Sequence, residues 1–196
     1  EATDPQWLTD LRREAWSRFY KLGFPTARRG NEKWKYTSVR PLAAANFDNP
    51  VVIGFPENIN AADLRLVAPW NDAWTNLVFL DGHFAGYLSN LQNGAGQITV
   101  TNLPDAIASG NPDVQIQLAK HANIDDDGFN ALNTAFLRDG AFVNVPAGHI
   151  AAAPVHFIFA TTGQLEHAAS YPRTLLLAGA NSRVTVLESY VSLAQT

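Results

Sequence analysis

The spacing of apolar residues near the amino terminus is that of an amphipathic helix. Apolar side chains recur there at steps of three and four residues: Trp7, Leu8, Leu11, Ala15, Trp16 and Phe19. This period predicts a helix over residues 4–22. We expect Asp4 to cap its first turn, Pro5 to occupy the first helical position, and Gly23 with Pro25 to end it.

From Val51 onward, short runs of β-branched and aromatic residues replace the helical period. These runs cover residues 51–55, 64–68, 76–88 and 97–100. Runs of this length and composition predict strands. Inside the third run, Asp81-Gly82 predicts a hairpin turn, because both residues accept a positive φ. Residues 26–45 show neither period, and we expect them to be irregular or only briefly helical.

Two amphipathic segments follow and predict helices near residues 112–121 and 128–138. The sequence NIDDDG, residues 123–128, precedes the second one and looks like the opening of a calcium-binding loop. The twelfth residue of such a loop should be a bidentate glutamate, but here it is Thr134. We therefore favour a helix cap by Asp126 or Asp127 over a metal site.

After Gly140 the chain consists of short apolar strands separated by turns. The predicted strands cover residues 141–146, 155–162, 173–179 and 183–191. Such a series is typical of a sandwich, a barrel or a β-helix, and composition does not choose among them. The expected fold class is α+β and mostly β, with a helical region 1–48, a mixed region 49–139 and a strand region 140–196. No closing element follows the last strand, so we expect a truncated chain.

Composition and charge exclude several classes of protein. The 196 residues are 46% hydrophobic and 16% charged, which indicates a globular chain. A net charge of −4 argues against non-specific nucleic-acid binding, although residues 28–40 are locally basic. No apolar run is long enough to predict a membrane span. Cysteine is absent, which excludes thiol chemistry within these residues and fits a cytoplasmic protein.

No motif predicts enzymatic activity, and we name no catalytic, cofactor-binding or metal-binding residue. The chain has no nucleophile elbow, P-loop or dinucleotide fingerprint. Its histidines lack metal-site spacing, and we expect each to be structural or exposed: His83, His121, His149, His156 and His167. Glu188 is the main acidic residue in the late strands. A lone carboxylate cannot form the acid–base pair of a glycosidase, so we expect it to face solvent.

The stretch FPTARRGNEKWKYTSVRPL, residues 24–42, resembles the SufB/SufD family of iron–sulfur cluster assembly proteins, and its SufD branch in particular. The residues that match the family's signature are Pro25, Thr26, Glu32, Trp34, Lys35, Tyr36 and Thr37. Three later segments, 77–91, 129–148 and 172–192, resemble the same family in the same order. The last one matches through Arg173, Gly179, Glu188 and Tyr190.

The resemblance implies a helical and mixed region followed by the start of a right-handed parallel β-helix. It implies a SufD-type scaffold subunit that pairs with SufB and the SufC ATPase to assemble and transfer iron–sulfur clusters. A cluster, with or without a flavin, would belong to the full complex and not to this chain. Exposed strand edges could also support self-association. The alternative is a parallel β-helix protein that binds or processes carbohydrate, which would need clustered carboxylates or an exposed aromatic ladder.

The block around Trp34 allows three roles. On an extended segment, Trp34 and Tyr36 would share one face, and Lys33, Lys35 and Thr37 the other. We favour a packing anchor that fixes the first helix against the mixed region. The alternatives are a surface that recruits another assembly protein and a platform for stacking nucleic-acid bases.

Overall fold

The computed structural model describes residues 4–27, 32–48, 59–91, 98–164 and 167–193. The α-helices in these stretches are α1 (Gln6–Leu22), α2 (Arg40–Ala44), α3 (Ala61–Val67), α4 (Leu103–Ala108), α5 (Pro112–Gln117) and α6 (Gly128–Ala135). The strands are β1 (Thr75–Leu80), β2 (His83–Phe84), β3 (Thr99–Asn102), β4 (Gly140–Val145), β5 (Val155–Thr161), β6 (Arg173–Ala178) and β7 (Val186–Ser192). The expected order of helices followed by strands is therefore confirmed.

The chain forms two compact units, each built from two separate stretches. The first unit contains Glu1–Asp48 and Asn111–Leu137, and the second contains Asn49–Gly110 and Arg138–Thr196. The linear division predicted from the sequence assigned residues 111–137 to the mixed region. In the structure these residues belong with α1, because α6 packs along that helix.

The first unit is built on the contact between α1 and α6. Leu8 and Ala15 of α1 are buried, as is Ala131 of α6. The helices approach so closely at Gly128 that a Cβ atom there would lie 1.8 Å from the carbonyl oxygen of Gly23. Glycine at this position is therefore a steric requirement of the packing.

The beginning of α1 differs from the prediction, although the helix itself is confirmed. Pro5 occupies the N-cap position and α1 begins at Gln6. Asp4 does not cap the helix, so that expectation was wrong. Its carboxylate instead pairs with the guanidinium of Arg12, about two helical turns further along the chain. Gly23 follows the last turn with a φ of 65°, the positive value that favours glycine.

Asp127 caps α6 and settles the choice left open by the sequence. Its Oδ1 accepts hydrogen bonds from the backbone N–H groups of Phe129 at 2.9 Å and Asn130 at 3.1 Å. These N–H groups have no partner inside the helix, so the cap satisfies them. The helix-cap interpretation is confirmed for Asp127.

The second unit contains two β-sheets. The first sheet has the strand order β2-β1-β5-β7, and the second has the order β3-β4-β6. After Gly140 the chain alternates between the sheets, because β4 and β6 lie in the second and β5 and β7 in the first. β4 pairs in parallel with β6, and β5 pairs in parallel with β7. Gly140 lies opposite Arg173, and Val155 lies opposite Val186.

Both faces of the first sheet are covered by apolar side chains. The face toward the second sheet forms one buried cluster: Leu77, Phe79, Val155, Phe157 and Phe159 with Ala141, Val143 and Val145. The opposite face forms another: Val78, Leu80, Ile158 and Ala160 with Leu64, Ala68, Ala85 and Leu88. Strands buried on both faces are characteristic of parallel sheets, which explains why β1 and β5 are almost continuously apolar.

Several sequence predictions for this unit need correction. Residues 64–68 lie mainly in α3, and not in a strand, because Asn60 and Asp63 form a capping box at its start. The predicted strand at 51–55 lies outside the described residues. The hairpin is confirmed, with φ values of 46° at Asp81 and 87° at Gly82.

No helix among the described stretches is both long and apolar enough to cross a lipid bilayer.

The close contact at Gly128 gives a first prediction. Gly128→Ala should lower the free energy of unfolding by about 2 kcal/mol, because the new methyl group overlaps backbone and forces the two helices apart. Urea unfolding monitored by circular dichroism measures this. Gly86→Ala is the matched control, since a Cβ there meets only the Phe84 ring at 3.4 Å. Equal stability of the two variants would contradict the packing.

Candidate interaction site

The signature block begins with an aromatic anchor. Glu32–Trp34 forms a short 3-10 turn, and the backbone N–H of Thr37 donates to the carbonyl of Trp34 at 3.1 Å. The half-buried Trp34 ring packs on Phe129 of α6, with ring centroids 5.2 Å apart. Its indole nitrogen is buried and has no hydrogen-bond partner among the described residues. The ring therefore contributes through apolar packing.

Trp34 and Tyr36 do not share one face, so that expectation was wrong. The 3-10 turn rotates successive side chains, whereas the prediction assumed an extended backbone. Tyr36 is 89% exposed, and the Lys35 ammonium lies 5.3 Å from its ring centroid. Lys35 also pairs with Glu32 at 3.4 Å. The block thus combines an inward Trp34 with an outward cationic and aromatic surface.

Phe24 and Phe129 complete the anchor, although the sequence did not predict that their rings would pack together beside Trp34. Phe24 packs edge-on against Phe129 at 5.7 Å and against Phe19 of α1 at 5.2 Å. Pro25 and Thr26 follow Phe24 directly, with Pro25 half-buried and Thr26 exposed. Phe129 therefore contacts both Phe24, which precedes Pro25, and Trp34 within the signature block. The signal available in the sequence was the apolar stripe of α6, which includes Phe129.

A second group of motif residues connects the two sheets of the second unit. Glu188 on β7 accepts a hydrogen bond from Thr174 Oγ1 of β6 at 2.8 Å. Its other carboxylate oxygen accepts from the Tyr190 hydroxyl at 3.2 Å. Burial, with the neighbouring Glu188 charge, raises the pKa of Tyr190 to about 12. The phenol therefore stays protonated at neutral pH and remains the donor. Glu188 is exposed, as expected.

Tyr190 also ends a column of stacked rings. Phe79 on β1 and Phe159 on β5 stack at 4.9 Å, and Phe159 stacks on Tyr190 at 5.1 Å. The three residues lie opposite one another in the strand register. Tyr190 is 66% exposed, and a cavity of about 340 Å³ opens beside it, lined in part by Ser170 and Pro172. The column thus runs from a buried ring to an accessible one.

Arg173 and Gly179 mark the two ends of β6. A Cβ at Gly140, opposite Arg173, would lie 1.8 Å from the Arg173 carbonyl oxygen. A Cβ at Gly179 would lie 2.4 Å from the backbone nitrogen of Ala147. Burial lowers the pKa of the Arg173 guanidinium. Beside Arg173 and at Gly179, neighbouring backbone segments therefore lie in close contact.

Two comparisons with known proteins both point to the family that the sequence resembles. A family model described as the N-terminal region of SufBD proteins matches residues 1–157. A protein of Synechocystis sp. (strain ATCC 27184 / PCC 6803 / Kazusa), named iron–sulfur cluster assembly SufBD family protein slr0076, is 30% identical over 191 residues. That alignment covers 96% of this chain. The chain belongs to the SufB/SufD family. It spans 40% of the length of the Synechocystis relative.

Within the described part of this SufB/SufD-family chain, the motif residues form two separate groups. Trp34, Lys35 and Tyr36 lie in the first compact unit, and Arg173, Glu188 and Tyr190 lie in the second. Glu188 and Tyr190 are joined by a side-chain hydrogen bond, and Trp34 and Thr37 are joined by a backbone hydrogen bond. No cluster of three or more potential metal-ligating side chains occurs in the described stretches. The roles of the individual motif residues remain predictions.

Asp139 is a buried carboxylate that the sequence did not single out. Its Oδ2 accepts from the backbone N–H of Phe84 at 2.8 Å, and its Oδ1 accepts from that of Gly140 at 2.7 Å. It therefore fastens the β1–β2 hairpin to the start of β4. Burial raises the pKa of Asp139 to about 6, and the nearby Asp105 adds to the rise. The two backbone hydrogen bonds favour the charged form and lower the pKa, but the effect of burial is larger.

The anchor gives a prediction with an internal control. Trp34→Ala should destabilise the protein by about 2 kcal/mol, because it removes a partly buried ring from Phe129. Tyr36→Ala should change stability by less than about 0.5 kcal/mol, since the side chain is exposed. Thermal unfolding of both variants distinguishes the two positions. Equal losses would show that Trp34 is not the anchor.

The buried Asp139 predicts a pH dependence. Its pKa is raised from 3.8 to about 6 in the folded state, so the folded state binds this proton more tightly than the unfolded state. Proton binding by Asp139 therefore raises the free energy of unfolding as the pH falls from 6 to 4. This contribution to stability is lost as the pH rises through about 6.

The measurement is urea unfolding at several pH values for the wild type and Asp139→Asn. Other groups also titrate in this range, so the difference between the two proteins isolates Asp139. The stability of the wild type relative to the variant should rise toward low pH. A difference that does not change with pH would contradict the raised pKa.

Proposed function

We propose that this chain is part of a SufD-type scaffold subunit that acts with SufB and the SufC ATPase in assembling and transferring iron–sulfur clusters. The cluster is the cargo of the complex. The chain supplies shape and contact surfaces, and its own residues perform no bond-making step. A flavin, where present, belongs to the complex.

The observation that carries this proposal is the alternation of strands after Gly140. β4 and β5 lie in different sheets, and β6 and β7 lie next to them in the same order and direction. Repetition of one such turn generates a right-handed parallel β-helix, because parallel crossovers are almost always right-handed. Stacked turns make a rigid support with little local freedom, which suits a scaffold.

The signature block favours the SufD branch over SufB. Its matching residues include Trp34 packed on Phe129 and an exposed Tyr36 beside Lys35. The buried half stabilises the first unit. The exposed half leaves an aromatic ring and a cation free of the core, which supports a role in recruiting another assembly protein. Base stacking is less favoured, since the chain carries a net charge of −4.

Strand edges are the proposed contact surfaces of the second unit. Among the described strands, β7 ends the first sheet and β6 ends the second. Such edges offer backbone donors and acceptors to an added strand. We propose that they engage another subunit, and that isolated chains self-associate through them. A cytoplasmic location accords with this role and remains a proposal.

Co-purification tests the proposed function. The chain, and the product of the whole gene that encodes it, are each tagged and co-expressed with SufB and SufC of the same organism. We expect the whole gene product to retain both partners. Tyr36→Ala should reduce recruitment of any partner that uses the exposed block, while Tyr20→Ala, an equally exposed tyrosine of α1, serves as the control.

Failure of the whole gene product to retain either partner would contradict the SufD assignment. Binding of anionic polysaccharide in that case would favour the carbohydrate alternative. Loss of partner binding in both tyrosine variants would contradict a specific role for the signature block.

A further inference from the structure

The segment that carries the end of the signature block is attached to the first unit mainly through Trp34 and Val39. The Trp34 ring packs on Phe129 with ring centroids 5.2 Å apart, and Val39 is 8% exposed. Every other residue in the range 32–47 is exposed, and the short helix α2 has no buried residue. Residues 32–47, called the exposed strip below, therefore lie on the surface of the first unit.

The exposed strip presents apolar side chains that are not needed to fill the core. Tyr36 is 89% exposed, and Leu42 and Phe47 are each 45% exposed. A single exposed apolar side chain is ordinary on a protein surface. Three of them in one short segment, two of which are aromatic, have the composition found at the centre of protein interfaces.

The strip also carries two cations without an acidic partner in the described part of the chain. Lys35 pairs with Glu32 at 3.4 Å, so its charge is balanced within the strip. Lys33 and Arg40 are exposed, and neither forms an ion pair with a described residue. These two charges are therefore available to a group from another molecule.

The sequence around the strip is basic, whereas the rest of the chain is acidic. Residues 28–40 contain five basic side chains and one acidic side chain, which gives a net charge of +4. The whole chain carries −4, so the remaining residues carry −8. A basic region on an acidic protein attracts an acidic partner to that region and away from the rest of the surface.

We propose that the exposed strip is the docking surface for an acidic segment of another protein. Carboxylates of that segment pair with Lys33 and Arg40, and its apolar side chains cover Tyr36 and Leu42. This docking role rests on the recruitment function proposed above and adds the chemistry of the partner. A basic segment is rejected, because its cations would face like charges.

A nucleic acid fits the strip less well than a protein segment does. The largest ring of the strip, Trp34, packs on Phe129 and is not available to stack on bases. Leu42 gains nothing from a phosphate, whereas it can pack against an apolar side chain. The net charge of −4 also opposes the approach of a long polyanion.

Three synthetic peptides serve as probes of the strip. In the first, glutamates flank one phenylalanine and one leucine. The second has lysine in place of each glutamate, and the third has serine in place of the two apolar residues. Fluorescence anisotropy of the labelled peptides measures their affinity for the chain.

We expect the first peptide to bind about tenfold more tightly than either of the others, and its affinity to fall as salt is added. Equal affinities of the glutamate and lysine peptides would overturn the proposal. Absence of detectable binding by the glutamate peptide would overturn it as well.

Reversal of the two free charges tests the residues themselves. Lys33→Glu/Arg40→Glu should weaken binding of the glutamate peptide about tenfold and strengthen binding of the lysine peptide. Lys21→Glu/Lys120→Glu is the matched control, because it changes the net charge equally at two exposed lysines of the same unit. The control should keep the wild-type preference. All four side chains are exposed, so both variants should unfold at the wild-type temperature.

An unchanged preference in Lys33→Glu/Arg40→Glu would overturn the proposal. A reversed preference in the control would overturn it too, because net charge and not the strip would then decide binding. An oligodeoxythymidine with the charge of the glutamate peptide tests the nucleic-acid alternative. Tighter binding of the oligonucleotide than of the peptide would overturn the proposed partner.

The peptide results are independent of the co-purification with SufB and SufC. Retention of both subunits by the whole gene product, without a peptide preference, would overturn the docking role and leave the SufD assignment intact. Failure of the co-purification would contradict the SufD assignment whatever the peptides show.

Discussion

Parallel hydrogen bonding of β5 on both of its edges is the constraint on which the second unit depends. β5 pairs with β1 on one side and with β7 on the other, over nearly its whole length. These pairings join segments that are far apart in the sequence. They place Phe79, Phe159 and Tyr190 in one column and Asn76 opposite His156. The motif residues Glu188 and Tyr190 therefore owe their positions to the pairing of β7 with β5.

Close backbone contacts impose a second constraint. Gly128 lets α6 approach the end of α1, and Gly140 and Gly179 let neighbouring backbone segments approach around β6. Each of these contacts is too short for a Cβ atom. The packing distance therefore requires glycine at all three positions, and at Gly140 the positive φ of 155° favours glycine as well. This accounts for the place of Gly140 and Gly179 within motif segments that contain few chemically reactive side chains.

Much of the local structure could be predicted from the sequence, because periodicity and capping act over a few residues. The helix α1, the Asp127 cap, the Asp81-Gly82 turn and the late strands were predicted in this way. The error at α3 arose because its apolar residues suited a strand, although Asn60 and Asp63 carried the capping signal. Strand pairing could not be predicted, since a period of two specifies the face of a side chain and not its partner.

The candidate site was predictable as a set of residues but not as a geometry. The motif residues Trp34 and Tyr36 were identified, yet a 3-10 turn separated them by turning Trp34 onto Phe129. Asp139 was missed because its raised pKa depends on burial between the hairpin and β4. The hydrogen bond from Thr174 to Glu188 depends on β6 and β7 lying side by side in different sheets, which no local pattern encodes.

The parallel pairing of β5 with β7 is the central claim, and chemical cross-linking tests it directly. The chain contains no cysteine, so two introduced thiols are the only reactive ones. Thr161 and Ser192 lie opposite each other at the same end of the two strands, whereas Arg183 precedes Val186 at the other end of β7. The strand from Val186 to Ser192 spans about 20 Å. A short bis-thiol reagent should cross-link Thr161→Cys/Ser192→Cys efficiently and Thr161→Cys/Arg183→Cys poorly. The opposite order of yields would mean an antiparallel pair and would contradict the alternating parallel fold.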